Sequence, residues 1–220
     1  MPKDTFFNLP AEKRQNIESV AIDEFAAYGY EASSINRIVE SAGIAKGSFY
    51  QYFEDKADLY KHLINCIGEQ KLKYISPVMQ NPSDQDFFTL LGEIYRVGLD
   101  FAQDNPKASK VGFEVYKNQA NPVFQEIYQE AMVGGIAYYG SLLDLAISRG
   151  EVDPEIDKMF ISYILVRLQV ASFDYYFTQV IEGGGDPTKW AEDILPTVKK
   201  MINFIKGGIQ SQRQGLSSND

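Results

Sequence analysis

Apolar residues recur every three or four positions along most of the chain, a spacing that predicts a succession of helices. Leu9-Pro10 leads into the first, over about 11–28, with Ile17, Val20, Ala21, Phe25 and Tyr28 on one stripe. Ser34 precedes Ile35, Ile38 and Val39 and reads as the N-cap of a short helix that runs to about Ser41. Ala42-Gly43-Ile44 stops it, because Gly43 can take the positive φ that redirects the chain and Ile44 can drop into the core as an anchor. A second short helix is expected from Ala45 to about Phe53. Asp55 then caps a longer one from Lys56 to about Ile75.

Farther on, Asn81-Pro82-Ser83, Asn105-Pro106, Asn121-Pro122, Asp153-Pro154 and Asp186-Pro187 each place a capping side chain before a proline suited to the first helical position. They predict helices near 83–104, 106–118, 122–149, 154–182 and 187–207. No segment alternates long enough to argue for a strand, so the chain is expected to be all-α with about nine helices. Gly134-Gly135 and Gly140 imply either a bend or close packing inside 122–149, and Gly150 suits its C-cap. The expected organisation is a helix-turn-helix domain over 1–55, a larger helical domain over 56–207 and a polar, flexible tail over 208–220.

The pair of short helices brings chemistry into the picture. Phe49 and Phe53, four apart, turn inward and leave Lys46, Gly47, Ser48, Tyr50, Gln51 and Tyr52 outward or at the helix start. Such a face suits a DNA groove: hydroxyls and amides reach phosphates and base edges, Lys46 adds charge, and Gly47 lets the backbone approach closely. Lys56, in the first turn of the next helix, suits a phosphate.

Ile17, Ala21, Phe25, Gly29-Tyr30, Ser33-Ser34, Ile38, Ala42-Gly43-Ile44, Lys46-Gly47, Phe49-Tyr50, Tyr52-Phe53, Lys56 and Leu59 together resemble the DNA-binding domain of the TetR family of bacterial regulators. The resemblance covers roughly the first quarter of the chain by motif, and the rest by length and helical content. It implies phosphate contacts from Tyr50, Tyr52 and Lys56 and groove contacts from Lys46, Gly47, Ser48 and Gln51, with Ser34 and Asn36 as further DNA-binding candidates. Asn36 replaces a frequent Arg, and Gln51-Tyr52 replaces a common Tyr-His or His-Tyr pairing, so operator preference does not carry over.

A net charge of −9 opposes DNA binding, which depends on Lys and Arg. The opposition weakens locally: 32–53 holds Arg37 and Lys46 against Glu40 alone, while Glu12, Glu18, Asp23 and Glu24 lie on the first helix. Few phosphate contacts and a shallow salt dependence are expected. With 1 His and no glycine-rich phosphate loop, neither a Ser-His-Asp site nor a phosphate-cradling enzyme can be built, so no enzymatic activity and no cofactor are expected. His62 and Cys66 are four apart on one helical face, a spacing open to a metal or redox site or to a packed pair. Two ligands do not make a site, and no second His or Cys exists to complete it, so no metal is expected. The single Cys, an N-terminus without an apolar signal core and the lack of any charge-free 18-residue apolar run point to a cytoplasmic protein with no membrane association.

Most aromatics follow residue 60. The resemblance implies a small-molecule effector in the second domain, with Tyr95, Phe113, Tyr116, Tyr128 and Phe173 as candidates for the pocket lining. Helix 154–182 is apolar nearly all round, and Trp190, Ile194, Val198 and Met201 give the last helix a sticky face, so these two are expected to form a homodimer interface. Arg167 and Asp174, seven apart, can pair reciprocally across its two-fold axis. Two alternatives stay open: Arg167 anchors an anionic ligand, or each residue reaches solvent. The resulting expectation is a regulator that binds double-stranded DNA at an inverted-repeat operator as a repressor and is released by a small molecule. The alternative is a helical ligand- or protein-binding module that needs no DNA.

Overall fold

Helices α1 (Asp4–Phe7), α2 (Ala11–Ala32), α3 (Ile35–Ser41), α4 (Lys46–Tyr52), α5 (Lys56–Ile75), α6 (Phe87–Asp104), α7 (Pro106–Lys117), α8 (Pro122–Ser148), α9 (Lys158–Tyr175) and α10 (Trp190–Ile209) follow one another in the computed structural model. The structure describes residues 1–80, 85–118, 120–175, 178, 184 and 190–211, without the side chains of 173 and 190–193. Among the described residues there is no strand, only an isolated bridge between Val152 and Gln210. The all-α expectation holds. The added element is α1, four residues long and too short for a periodic signal. It is fixed by tertiary contacts: Phe6 is fully buried with its ring 4.8 Å from that of Phe53, and the Lys3 N–H donates to the Tyr52 carbonyl at 2.8 Å.

The punctuation works at several ends. Asp55 Oδ1 accepts the Asp58 N–H at 2.8 Å, Asn121 Oδ1 accepts that of Val123 at 2.9 Å, and Gly150 has φ 71° at the end of α8. Asp153 closes only a turn, accepting the Glu155 N–H at 2.9 Å, and Asp157 caps α9 instead, which therefore starts four residues late. Ser34 has the extended backbone of an N-cap, but its side chain makes no capping hydrogen bond. The predicted starts at Asn81-Pro82 and Asp186-Pro187 lie outside the described residues. The tail expected from 208 begins later: α10 runs to Ile209, whose carbonyl accepts the Asp153 N–H at 2.9 Å, and the Ser211 N–H donates to the Glu151 carbonyl at 3.1 Å. Residues 212–220 lie outside the described residues.

The chain forms two units. The first comprises Met1–Lys73 and Asp104–Ile127, so α7 and the start of α8 join the helix-turn-helix, a grouping that the expected boundary at 55/56 does not capture. Tertiary aromatic packing explains it. Tyr60 lies at the centre of a ring cluster, with centroids 4.9 Å from Phe25, 5.2 Å from Tyr30 and 5.2 Å from Phe124. Its buried hydroxyl donates to the Val111 carbonyl of α7 at 2.7 Å. Ile17, Ile38, Phe49, Phe53, Leu59 and Leu63 complete this core.

The second unit comprises Tyr74–Gln103 and the chain from Tyr128 onward. Leu91, Ile94, Tyr95 and Leu99 of α6 meet Met132, Tyr139, Leu143 and Ala146 of α8, Leu165 and Val166 of α9, and Ile194, Val198, Ile202 and Ile205 of α10. A Cβ at Gly135 would lie 2.9 Å from Val166 Cγ2, so of the two readings of that glycine the structure carries close packing of α8 on α9. Among the described residues α8 is long and apolar enough by composition to cross a membrane, yet Met132, Tyr139, Leu142, Leu143 and Ala146 are buried in the core of its unit.

Candidate nucleic-acid interface

The helix-turn-helix is held from below by α2. At the turn, Gly43 has φ 65° and the N–H groups of Ala42, Gly43 and Ile44 donate back to Ile38, Glu40 and Val39 at 2.9, 3.1 and 3.0 Å, which satisfies the carbonyls at the end of α3. Asn16 of α2 donates its side-chain amide to the Ala42 carbonyl at 3.1 Å. Ile38, Val39, Ala42, Phe49 and Phe53 fill the space beneath. The pair is therefore fixed by both a turn and a core, as positioning a groove-reading helix requires.

What remains outside is the predicted face, with corrections. Asn36, Lys46, Gly47, Tyr50 and Gln51 are exposed, Tyr50 at 45%, and Ser34 and Ser48 are half-buried. Tyr52 is not outward: it is buried at 7%, with its ring 6.1 Å from that of Phe6. The reason is α1, which covers the side of α4 that a two-helix reading leaves open. This N-terminal segment also caps the end of α4, a role with no local signal in the sequence. Lys3 Nζ donates to the Tyr50 carbonyl at 3.0 Å, and the Thr5 hydroxyl donates to that of Gln51.

Two cations are not where the charge argument needs them. The Arg37 guanidinium donates to both carboxylate oxygens of the buried Glu24 and to the Ala32 carbonyl, and lies 4.3 Å above the Tyr28 ring. Burial alone would raise the Glu24 carboxyl. Hydrogen bonds from Arg37 and from the Ser34 N–H, with the charges of Arg37 and Lys56, outweigh it and hold the carboxyl below its ordinary value. Lys56 Nζ donates to the carbonyls of Tyr30, Glu31 and Ser33 at 2.6, 3.2 and 3.2 Å, and so stitches α5 to the end of α2. The local balance of the reading pair thus rests on Lys46, with Arg37 neutralised from within.

The other predicted sites fare unevenly. Phe113 and Tyr116 belong to the first unit and Tyr95 and Tyr128 to the second, so these four line no single cavity within either unit; the Phe173 side chain lies outside the described residues. Tyr95 is buried and its hydroxyl donates to the Leu165 carbonyl at 3.3 Å, while the Tyr128 hydroxyl meets Arg167 Nη1. Missed by sequence reasoning was Tyr138, whose buried hydroxyl has no hydrogen-bond partner among the described residues, next to Tyr139, whose hydroxyl reaches Gln169 Oε1 at 3.4 Å. On α10, Ile194 and Val198 are buried in the core of their own unit and do not form an outward face. Met201 is half-buried, Arg167 and Asp174 are exposed, and the Trp190 side chain lies outside the described residues.

Known proteins agree with this arrangement. Residues 17–63 match the model of the bacterial regulatory proteins of the tetR family. A TetR family transcriptional regulator from Chloroflexus aurantiacus has a crystal structure that is 31% identical, with a TM-score of 0.68 over 96% of this chain and 99% of that one. The transcriptional regulator AcrR of Shigella flexneri is 36% identical over 67 residues, 29% of this chain and 31% of that protein, so the matched part spans less than a third of this curated relative. The regulator FadR of Bacillus subtilis, solved in complex with stearoyl-CoA, shares the fold with a TM-score of 0.66 at 18% identity, over 84% of this chain and 96% of that one.

Proposed function

The chain belongs to the TetR family of bacterial transcriptional regulators, and from that premise we propose that it is a cytoplasmic repressor that binds an inverted-repeat operator as a homodimer and leaves it when a small molecule binds. The observation that carries the reading is the helix-turn-helix: a rigidly seated α4 whose outer face offers Lys46, Gly47, Tyr50 and Gln51 to a groove. It acts by binding and not by turnover. In the dimer the two α4 helices would stand about 34–36 Å apart, or somewhat more, to enter successive major grooves.

The effector site we assign is the interior of the second unit. Tyr95, Tyr138 and Tyr139 place three hydroxyls in an apolar core between α6, α8 and α9, with Gln169 nearby, and the buried hydroxyl of Tyr138 has no partner among the described residues. This suits a largely apolar molecule carrying a hydrogen-bond acceptor, and the stearoyl-CoA held by the Bacillus subtilis neighbour supports that class. Such a ligand releases DNA only by binding the DNA-free conformation more tightly.

The dimer face we assign is the outer side of α9 and α10, where Met159, Phe160, Tyr163 and Phe204 are exposed beside a cleft of about 540 Å³ lined by Ile161, Ile164, Leu168 and Phe204. Arg167 and Asp174 remain candidates for a reciprocal pair across it.

Capture of fragmented genomic DNA by wild type and by Tyr50→Ala in parallel, with salt raised to strip non-specific binding, tests the function. Enrichment of a few inverted repeats by wild type alone is expected. No enrichment by wild type at any salt would favour a ligand-binding module independent of DNA, and equal enrichment by both proteins would move the essential contact off Tyr50.

A further inference from the structure

Three ligand-type side chains meet inside the first unit, away from the groove-reading face. Glu18 Oε1 of α2 lies 2.8 Å from His62 Nε2 of α5, and Cys66 Sγ lies 3.5 Å from the same nitrogen and 3.9 Å from Glu18 Oε1. His62 is buried, Glu18 and Cys66 are half-buried, and their donor atoms all lie within 4.8 Å of one another. The third ligand comes from a helix 44 residues away in sequence, which is why the spacing of His62 and Cys66 alone did not show it.

Three donors at these separations are close to the spacing that one tetrahedral ion requires. With metal–donor bonds of about 2.0–2.3 Å, the edges of a tetrahedral site measure about 3.3–3.6 Å. The three observed separations bracket that range, so shifts of about half an ångström would seat all three donors on one ion. Without a metal, the His62 Nε2–H and the Cys66 thiol can both donate to Glu18 Oε1, so an ion would bind in exchange for those two protons. The rings of Phe6 and Phe53, 5.2 and 5.9 Å from that of His62, fix the imidazole orientation.

We propose that Glu18, His62 and Cys66 form a binding site for a divalent transition metal, zinc foremost, with the fourth position taken by water or an external donor. One carboxylate, one imidazole and one thiolate are too soft a set for magnesium or calcium and too hard for copper(I). The ion joins α2, on which the reading pair rests, to α5. It therefore stabilises the DNA-reading unit whenever it is bound.

The test is titration of cobalt(II), a spectroscopic stand-in for zinc, into tag-free, chelator-treated full-length protein with its thiol kept reduced. His62 and Cys66 are the sole His and Cys of the chain, so a thiolate-to-cobalt charge-transfer band reports this site alone. One equivalent is expected to bind with that band and with visible bands of four-coordinate cobalt, and zinc is expected to displace it. Cys66→Ser should abolish the charge-transfer band, and Glu18→Gln should weaken uptake by about tenfold or more. Zinc should raise the melting temperature of wild type but not of Cys66→Ser. Should Cys66→Ser fail to fold, Glu18→Gln decides by the same readings. No cobalt uptake by wild type, or uptake that both variants leave unchanged, overturns the proposal.

Discussion

Glu114, on α7, accepts the backbone N–H of Tyr30 at 3.1 Å, directly after the glycine that breaks α2. Gly29 sits at φ 69°, and a Cβ there would come within 3.1 Å of the same Glu114 oxygen. Lys107 to Asp23 at 2.8 Å and Asn121 to Glu31 at 2.7 Å reinforce the junction. A segment more than seventy residues downstream of α2 is thus built into the unit that carries the reading helix.

Gly29→Ala should accordingly destabilise the protein by about 1–3 kcal/mol from the positive-φ, extended-ψ backbone alone, with a further loss as Glu114 is displaced. Glu114→Gln keeps an acceptor for Tyr30 and should melt close to wild type, whereas Glu114→Ala should melt several degrees lower. Thermal unfolding of the three variants checks this. A Gly29→Ala protein as stable as wild type would mean that the junction relaxes freely.

Glu24 makes stability depend on pH in a stated direction. Its carboxyl is held below the ordinary value of 4.5 in the folded protein, because Arg37 and the Ser34 N–H outweigh burial. The contribution is therefore complete above pH 4.5 and is lost as pH falls through the lower folded value. Glu24→Gln should melt lower than wild type at neutral pH, and the gap should close in acid as wild type loses this contribution. A gap that persists unchanged below the folded value would assign the loss to packing.

Lys46 and Tyr50 separate charge from shape on the reading face. Lys46→Ala should weaken binding to specific and non-specific DNA alike and reduce the slope of log affinity against log salt by about 1. Tyr50→Ala should weaken operator binding with little change in that slope or in melting temperature, since its ring is uncharged and exposed. Lys56→Ala should lower the melting temperature as well as DNA affinity, because its ammonium is bonded to three carbonyls. Fluorescence anisotropy over a salt series, paired with melting curves, distinguishes them.

How much of this was legible follows from range along the chain. The turn at Ala42-Gly43-Ile44 needs only a glycine able to reach φ 65° and apolar residues on each side, so local pattern sufficed. Arg37 looked like a free cation because its partner Glu24 lies thirteen residues back on another helix. Tyr52 looked exposed because its cover, Phe6, belongs to a helix too short for any period. The apolar spacing of Ile194 and Val198 is legible in the sequence, but amphipathicity states that a face is covered and not by whom. The core of the unit covers it.

Tyr138 gives the effector site a test with opposite signs. Burial pushes its hydroxyl up to about 12, and the group lacks a partner among the described residues. An unsatisfied buried hydroxyl costs about 1–3 kcal/mol, so Tyr138→Phe should raise the melting temperature of effector-free protein. If the hydroxyl serves the effector, the same change should weaken effector-induced release from DNA. A stabilised variant with an unaltered response would place the effector elsewhere.

The dimer face can be separated from the core on a single helix. Phe204 is 80% exposed, whereas Ile194, ten residues earlier on α10, is 2% exposed. Phe204→Asp puts a charge on a surface that only a partner subunit would cover. It should therefore yield a folded monomer with weakened operator binding, seen by sedimentation and by an unchanged helical signal. Ile194→Asp buries an unpaired charge and should lose the fold itself. Arg167→Asp should also dissociate the dimer if Arg167 meets Asp174 of the partner subunit, and adding Asp174→Arg should restore it, because the exchanged charges attract again across the two-fold axis. A Phe204→Asp protein that remains dimeric would move the interface off α10, since no assembly closing over that side chain tolerates a desolvated carboxylate.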